Sequence, residues 1–506
     1  MRRSPAVLAL LLALLAAAPA AAQTPDSTAA DTLLTPDDLP APDTAGVLVG
    51  DAALFEDPPN AARFTLPAAI SAALRVSPEV GAAQGEADFA VARYGFARAS
   101  RFLTDFRAQT AHAVAPGLRI PEDNTFPDDA LYLNPDVRND WSKLRPFNRL
   151  EIQATQPVLT WGELSGNLQA ARAGARSEAA AVGVAENAVA LRLAESYYGL
   201  LLARRLKGIT DEAESLVARA KREVQALVEA GDSTVDQGDL YDVLLTEQEY
   251  TRRVVEVDER LATAGSALAR QLFLPDGVPF APADTVLEPL AFVRDSLGAY
   301  VRLAAQNRPE LRQAREGVEA REALVRVARS DFYPKLGIGL SATYSYAAGR
   351  IRQPSPYIDD PFLGRSVRVG LGLRQNLNVL QTRARVAQAQ AQANGVRATM
   401  RGAEQLVRFE VEEAYRNVVI AEAALRSGDE SFRITRQWLL DEQINFDLEL
   451  GDARALVRAV RARLLAEVAY YESIQRYNVA VVRLLARAGV LASRAAAAGA
   501  GGTLVE

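Results

Sequence analysis

The sequence predicts an α+β protein in which long α-helical coiled-coil hairpins are joined to four β-strands, with this arrangement occurring twice along the chain. Three observations predict this class. Long stretches carry apolar residues at three- and four-residue spacing, four shorter stretches alternate apolar and polar residues, and motifs of the first half recur in the second. The first spacing is typical of helices and the alternation is typical of strands. The recurrence indicates two copies of one structural unit.

The duplication is clearest in short motifs. SPEV at 77–80 corresponds to RPEL at 308–311, 231 residues later, whereas ESY at 195–197 corresponds to EAY at 413–415, 218 residues later. Because the offset changes at one place between these motifs, the first copy is expected to contain a longer loop there.

Each copy follows the same predicted order. We expect residues 62–290 and 291–490 to form the two repeats, each beginning with an amphipathic helix, at roughly 66–100 and 296–331. Two alternating segments, a long helix, a short break that contains glycine and a second long helix follow in each repeat.

The long helices set the expected size of the molecule. From about Glu163 to Glu229 there is no proline, and apolar residues recur at helical spacing. A helix of that length reaches roughly 100 Å. Such lengths are typical of coiled coils rather than of globular domains.

Both ends of the chain carry segments that we expect to lie outside this fold. Residues 1–22 combine a basic start, a short apolar run and an A-x-A end, which is the pattern of a cleaved secretory signal peptide. Residues 23–61 are rich in Asp, Pro and Thr and predict a disordered acidic leader. The Ala- and Gly-rich residues 491–506 predict a flexible tail.

Composition argues against several functions. The chain has no cysteine, which removes disulfides, thiolate metal sites and cysteine nucleophiles. Its only histidine, His112, lies in a predicted strand. A net charge of −6 provides no basic surface for nucleic acid. We therefore expect no enzyme activity, no cofactor, no metal site and no nucleic-acid partner.

The alternating segments predict strands that cross a membrane. In 336–346 one face carries Leu, Ile, Ala and Tyr and the other carries Gly, Ser and Thr. Segments 150–155 and 367–374 alternate in the same way, and 106–114 does so more weakly. An apolar outer face and a polar inner face are typical of a transmembrane barrel wall. Tyr344, Tyr346, Tyr357 and Phe362 are expected to supply an aromatic girdle at the membrane interface.

Four strands are too few to close a barrel, which needs about eight, and an open sheet edge is not tolerated in lipid. The chain is therefore expected to share its barrel, with three copies supplying twelve strands. A soluble sheet alternates as well, so a periplasmic structural coiled-coil protein remains an alternative. A passive porin-like pore is a second alternative.

Five motifs occur in a characteristic order. They are SPEV at 77–80, RPEL at 308–311, QPVLTWG at 156–162, LGD at 450–452 and RYN at 476–478. In this order, over roughly residues 62–490, they resemble the TolC family of outer-membrane efflux channels. The resemblance implies a homotrimer with a barrel in the lipid of the cell outer membrane and a helical tunnel that extends into the periplasm.

The resemblance also implies a function. The chain would be one subunit of the exit duct of a tripartite efflux system, or of a type I secretion system, with a periplasmic adaptor protein and an inner-membrane pump as partners. Drugs, metal ions and secreted proteins all remain open as cargo.

In channels of this family the turns between paired long helices form the periplasmic tip. Asp239 matches an aspartate of the family's closing latch, Leu448 stands at the position of the latch tyrosine, and Ala453 stands at that of the latch arginine, next to Arg454. Val457 and Val460 stand at the positions of the two constriction aspartates. Three arginines from 454 to 461 share one helix face, which would favour anions if it faced the pore and would be solvated or adaptor-facing otherwise. The candidate tip and gate residues are Gly231, Asp232, Asp236, Asp239, Leu448, Gly451, Asp452, Arg454, Val457, Arg458, Val460 and Arg461.

Overall fold

The computed structural model describes residues 61–119, 138–230, 237–275, 277–350, 360–448 and 453–498. The predicted signal peptide and all but the last residue of the predicted acidic leader lie outside these residues. No helix within the described ranges is long and apolar enough to cross a lipid bilayer.

The described elements confirm the duplication. The first repeat contains β1 (Ala62–Phe64), α1 (Leu66–Val76), α2 (Pro78–Ala99), β2 (Asp105–Arg119), β3 (Arg138–Leu159), α3 (Glu163–Ala230) and α4 (Gln237–Gln271). The second contains β4 (Phe280–Pro282), α5 (Leu297–Asn307), α6 (Pro309–Ser330), β5 (Lys335–Ala347), β6 (Gly364–Arg374), α7 (Val379–Asp447) and α8 (Ala453–Arg487), followed by α9 (Leu491–Ala498). The four main helices are 11, 22, 68 and 35 residues long in the first repeat and 11, 22, 69 and 35 in the second.

The single opening helix predicted for each repeat is wrong, because both are broken at a proline. α1 gives way to α2 at Ser77, and α5 gives way to α6 at Arg308; both residues are extended, with ψ angles of 121° and 117°. A residue before proline avoids the helical region, whereas proline fits the first position of a helix. The amphipathic pattern continues across the break and conceals it.

The helices form a layer with two edges. α2 and α4 pack on α3, α3 packs on α6 and α8, and α6 and α8 pack on α7. The larger sheet has the same order, β2-β3-β5-β6, with every neighbouring pair antiparallel. The first repeat therefore supplies one edge of both the helical layer and the sheet, and the second repeat supplies the other edge.

The hydrophobic core lies where α1, α5 and α9 meet the middle of the long helices. Leu193 and Tyr197 of α3 and Leu484 of α8 are at most 1% exposed there. The hydroxyl of Tyr197 donates to Asp284 Oδ2 at 2.7 Å, and burial together with the charge of Asp284 raises the pKa of Tyr197. The core holds α3 and α8 together near the strand-proximal half of the bundle.

Two of the family motifs have structural roles in this core. Arg308 is 3% exposed, and its guanidinium donates to Arg487 O and Glu310 Oε1 at 2.8 Å and also to Glu410. Asn478 is fully buried; it accepts from Leu290 N and donates to Glu288 O, both at 2.8 Å. Arg308 fastens the break between α5 and α6 to α7 and to the end of α8, all within the second repeat, whereas Asn478 holds the connection between the repeats against α8.

The start of the predicted flexible tail is helical. α9 packs on α1, and its residues Leu491 and Ala495 are fully buried. The Ala-rich composition that suggested mobility favours a helix here, because alanine has the best helix propensity and α1 offers an apolar surface.

Candidate functional site: the sheet and the helix turns

The sheet has one apolar face, defined by its register. Phe106, Ala154, Leu340 and Val369 lie side by side across the four strands. On the edge strand β6 the apolar side chains are largely exposed, with Val369 at 69%. A face of this kind is typical of a surface covered by lipid or by another protein.

The opposite face is polar. Arg107, Gln153, Ser341 and Arg368 form one row across the same four strands. Beside this row stands Gly339, where an added Cβ would meet no atom within 4 Å. The polar face is therefore open at this level, which suits a water-filled passage.

The height of the apolar face matches a membrane. From Leu336 to Tyr346 the strand rises roughly 33 Å along its own axis, or about 25 Å once strands are tilted as in membrane barrels. Tyr344 and Tyr346 lie at the outer end of this face, as predicted. Of the other two aromatic residues expected there, Tyr357 lies outside the described residues, and Phe362 packs edge-on against Phe147, their ring centres 5.5 Å apart.

Aromatic residues also mark the inner end of the sheet. Trp161 has a φ of 51° and donates from its indole N–H to Pro334 O at 2.7 Å. Its ring stacks on Tyr333, with 5.1 Å between centres. Aromatic rings with one polar end favour the interface between lipid and water. The QPVLTWG motif thus ends a strand at the level where the membrane would end.

The same motif fastens the turn between α2 and β2. Leu103 N donates to Gln156 Oε1 at 2.8 Å, and Gln156 Nε2 donates to Arg101 O at 3.1 Å. In the second repeat Gln375 Nε2 contacts Phe332 O at 3.4 Å. The second copy keeps the glutamine contact although it lacks the proline.

The predicted tip residues fall at the far ends of the long helices. Gly231, Asp232, Asp236, Gly451 and Asp452 lie outside the described residues. Asp239 lies in the first turn of α4, Arg454 lies in the first turn of α8, and Leu448 follows the end of α7 and is exposed.

The remaining candidates lie on α8 and differ in exposure. Val457, Arg458 and Arg461 are exposed, whereas Val460 is half-buried against a small apolar cluster that includes Ile209 of α3. Residues three apart are neighbours on a helix surface, so the two valines stand at the border of the buried stripe. α3 covers Val460 and leaves Val457 exposed.

The charge near this end is largely paired. The pKa of Glu249 on α4 is lowered by a hydrogen bond from Arg253 and by the nearby charge of Arg461. Farther from the tip, Glu467 of α8 is 1% exposed; its Oε1 accepts from Arg205 of α3 at 2.6 Å, and Arg463 lies 3.0 Å from Oε2. This buried network links the two repeats. The described residues contain no cluster of acidic residues and histidine placed to hold a metal ion.

Comparison with known proteins agrees with this architecture. Residues 300–439 match the family model of the outer membrane efflux protein. The outer-membrane channel OprN is 18% identical, with a TM-score of 0.66 over 84% of this chain and 89% of that one. VceC from Vibrio cholerae is 16% identical, with a TM-score of 0.65 over 84% of this chain and 96% of that one.

The Campylobacter jejuni CmeC outer membrane channel is similar as well, at 14% identity and a TM-score of 0.65 over 84% of this chain and 85% of that one. A search of curated proteins returned no match. The chain has the TolC-type channel fold. The resemblance seen in the sequence motifs is thereby confirmed, and the family that the model describes consists of transport channels rather than enzymes.

Sequence reasoning missed the basic row formed by Arg107 and Arg368 in this TolC-type sheet. Each arginine stands at a polar position of an alternating segment, so its face was predictable. Their alignment depends on the register between four strands from two repeats, and strand spacing along the chain does not fix that register.

Proposed function

We propose that three copies of this chain form the exit duct of a tripartite efflux or type I secretion system in the cell outer membrane. The observation that carries the proposal is the four-stranded sheet, whose outer strands β2 and β6 each pair on one side only among the described residues. Its apolar face is exposed, and unpaired strand edges are costly in lipid. A closed ring of copies removes both edges.

The helical layer supports the same ring. Phe89 and Phe96 of α2 and Leu245 of α4 are at least 60% exposed at one edge, and Phe409 and Ile420 of α7 are at least 61% exposed at the other. β2 lies at the same edge of the molecule as α2, and β6 lies at the same edge as α7. A rotation that places β2 of one copy beside β6 of the next therefore also places α2 beside α7 of that copy. Head-to-tail contact of unlike edges generates a closed ring.

Three copies give twelve strands, a number that closes a barrel. The long helices α3 and α7, of 68 and 69 residues, would extend roughly 100 Å into the periplasm. That length suits a duct that reaches a periplasmic adaptor protein and an inner-membrane pump, and exceeds what a passive pore requires. In this proposal residues 1–22 are the export signal, and residues 23–61 are the acidic leader that follows it.

Cross-linking tests the ring. The chain has no cysteine, so introduced pairs react without background. Gln109 of β2 and Ser366 of β6 lie in one row with Glu151 and Thr343 between them. Because the strands of a closed barrel are staggered, Ser366→Cys is combined in turn with a cysteine at each position of β2. Treatment with a bismaleimide in outer-membrane fractions should give a covalent trimer, and no larger species, for the pairs whose stagger matches.

The matched control is Glu151→Cys/Thr343→Cys, a pair on neighbouring strands of one chain, which should remain monomeric on a denaturing gel. The mass of the detergent-extracted protein, measured by light scattering, should be that of a trimer. A water-soluble monomer would contradict the ring and favour the periplasmic coiled-coil alternative.

The tip of the duct is proposed to lie at the turns after α3 and α7, and the candidates from Gly231 to Arg461 would form its entrance. Asp239 and Arg454 begin the two helices that follow these turns. If they help to close the entrance, Asp239→Ala should raise the closed-state conductance in planar bilayers. An unchanged conductance would remove Asp239 from the latch.

A further inference from the structure

The polar face of the sheet has a charge opposite to that of the chain. The whole chain contains 57 basic and 63 acidic residues. We define the inner wall as the polar-face positions aligned with Gly337 to Ser345 of β5, together with Arg374 at their lower end. Its charged residues are Arg107, Arg149, Arg368, Arg374, Asp105 and Glu151. Four basic and two acidic side chains leave a net charge of +2 per chain.

The two acidic residues are already engaged by arginines of their own strands. Arg107 lies 3.4 Å from Asp105, and Arg149 lies 3.6 Å from Glu151. Arg368, on the edge strand β6, has no carboxylate within ion-pair distance among the described residues. If a neighbouring copy placed its Asp105 beside Arg368, the pairing would change but the net charge of the wall would not.

The cations lie in three places on this face. Arg149 lies in the row of Ser345, Arg107 and Arg368 end the row of Ser341, and Asp105 ends the next row, that of Gly339. Arg374 lies at the base beside Lys335 and Arg385, whose two charges are balanced by Asp331 and Glu163. Glycines such as Gly370 occupy the intervening polar positions, where an added Cβ would meet open space. The guanidinium groups therefore border open volume.

We propose that this inner wall gives the channel a preference for anionic solutes, namely small molecules that carry carboxylate, sulfate or phosphate groups. The inference rests on the proposed function, since the polar face becomes a lumen only in a closed ring. In a trimer Arg107 and Arg368 would add six guanidinium groups to the wall, at two heights because the strands of a barrel are tilted. Rings of arginine and lysine favour anions in pores, and a narrow polar passage strengthens their field.

The local potential can be measured by cysteine modification. Ser341 lies in the arginine row between Gln153 and Arg368, and Ser341→Cys would be the only thiol of the chain. In detergent-extracted trimers its reaction with a singly negative methanethiosulfonate should be faster, relative to a free thiol, than with a singly positive one. The ratio of the rate constant with the negative reagent to that with the positive reagent changes about sevenfold for each kT of local potential.

Charge removal provides the comparison. Adding Arg107→Gln and Arg368→Gln to Ser341→Cys should bring the rate ratio to that of the free thiol or below it. Adding Arg365→Gln, which removes one arginine from the apolar face, should leave the ratio unchanged. Equal ratios with and without Arg107 and Arg368, or a free-thiol ratio in the parent, would overturn the proposal.

Selectivity of the whole pore is then read from reversal potentials in a KCl gradient. The parent should pass chloride in preference to potassium, and Arg107→Gln/Arg368→Gln should lower that preference. A protein that forms no trimer and no pore would refute the proposed duct itself. A trimeric pore that prefers potassium, with no response to the two substitutions, would refute only the anionic preference.

Discussion

Helices α4 and α8 have the same length and the same end but different surroundings. Each contains 35 residues and is followed by a residue with positive φ, Phe273 after α4 and Gly489 after α8. α8 lies between α3 and α7, whereas α4 packs on α3 at the edge of the layer. Glu467 and Asn478 of α8 are buried, while residues 251 and 262, which occupy the matching places in α4, are exposed.

This difference indicates that α4 lacks a second neighbouring helix in a single chain. In the proposed ring, α4 would lie between α3 of its own chain and α7 of the neighbour, as α8 lies between α3 and α7. The buried charges of α8 would then stabilise contacts within one subunit, whereas the exposed face of α4 would be covered only on assembly. Four predictions test whether α4 and α8 differ in this way.

The largest effects are expected where the two helices are alike. Leu268 of α4 and Leu485 of α8 are both at most 1% exposed in the common core. Replacement of either residue by alanine should lower the free energy of unfolding by about 2–5 kcal/mol, because each leaves a cavity. Circular dichroism of the detergent-extracted protein in guanidinium would measure both changes.

Val293→Ala is the matched control, since that side chain is 91% exposed, and its effect should stay within about 0.5 kcal/mol. A much smaller effect of Leu268→Ala than of Leu485→Ala would mean that α4 is held loosely along its whole length. The difference between α4 and α8 would then apply to the core ends of the two helices as well as to their tip halves.

The next effect separates the two helices. Glu467→Gln removes the charge that Arg205 and Arg463 share, and breaking a buried pair in this way costs about 3 kcal/mol or more. Glu247 of α4 pairs with Lys221 of α3 at 2.8 Å but is partly exposed. Glu247→Gln should therefore cost at most about 1 kcal/mol. Equal losses in the same unfolding experiment would contradict the distinction.

Much of this fold was accessible from the sequence because its signals are local. The spacing of apolar residues predicted α3 to within one residue of its end, and alternation located β5 to within one residue at each end. The motifs around Pro78 and Pro309 revealed the duplication, yet the breaks they cause were missed because the apolar stripe continues on the next helix.

The site was less accessible because its features depend on neighbours. Val457 and Val460 were taken as equivalent constriction residues, but α3 covers only Val460. Glu467 is buried because α8 lies between two helices. The sequence of α4 has a similar spacing of apolar residues, but α4 lies at the edge of the layer. Arg107 and Arg368 align only through the register of the sheet.

A smaller effect is expected at Asn478, which holds the connection between the repeats against α8. Asn478→Leu leaves Leu290 N–H and Glu288 C=O without their partner, and each unsatisfied buried group costs about 1–3 kcal/mol. Limited proteolysis should then cleave the connection near residue 290 faster than in the parent. Ala262→Asn, at the matching exposed place in α4, should change neither stability nor cleavage, and faster cleavage there would contradict the comparison.

The smallest effect concerns the tie between α4 and α3. Lys207 Nζ lies 2.8 Å from Asp211 and 2.9 Å from Asp258 of α4, and hydrogen bonds to Asp211 and Asp258 raise the pKa of Lys207 above its usual 10.5. A lysine with a raised pKa stabilises the folded state below its unfolded-state pKa and loses that contribution as the pH rises through the folded-state value. Lys207→Gln should therefore cost at most about 1 kcal/mol at neutral pH, and the difference from the parent should be lost only as the pH rises through the raised pKa of Lys207. Because both carboxylates are partly exposed, added salt should reduce the difference in unfolding free energy between Lys207→Gln and the parent at neutral pH. The loss of unfolding free energy caused by Glu467→Gln should change little with salt. Equal salt sensitivity of the two variants would place α4 and α8 in the same environment and end the distinction between them.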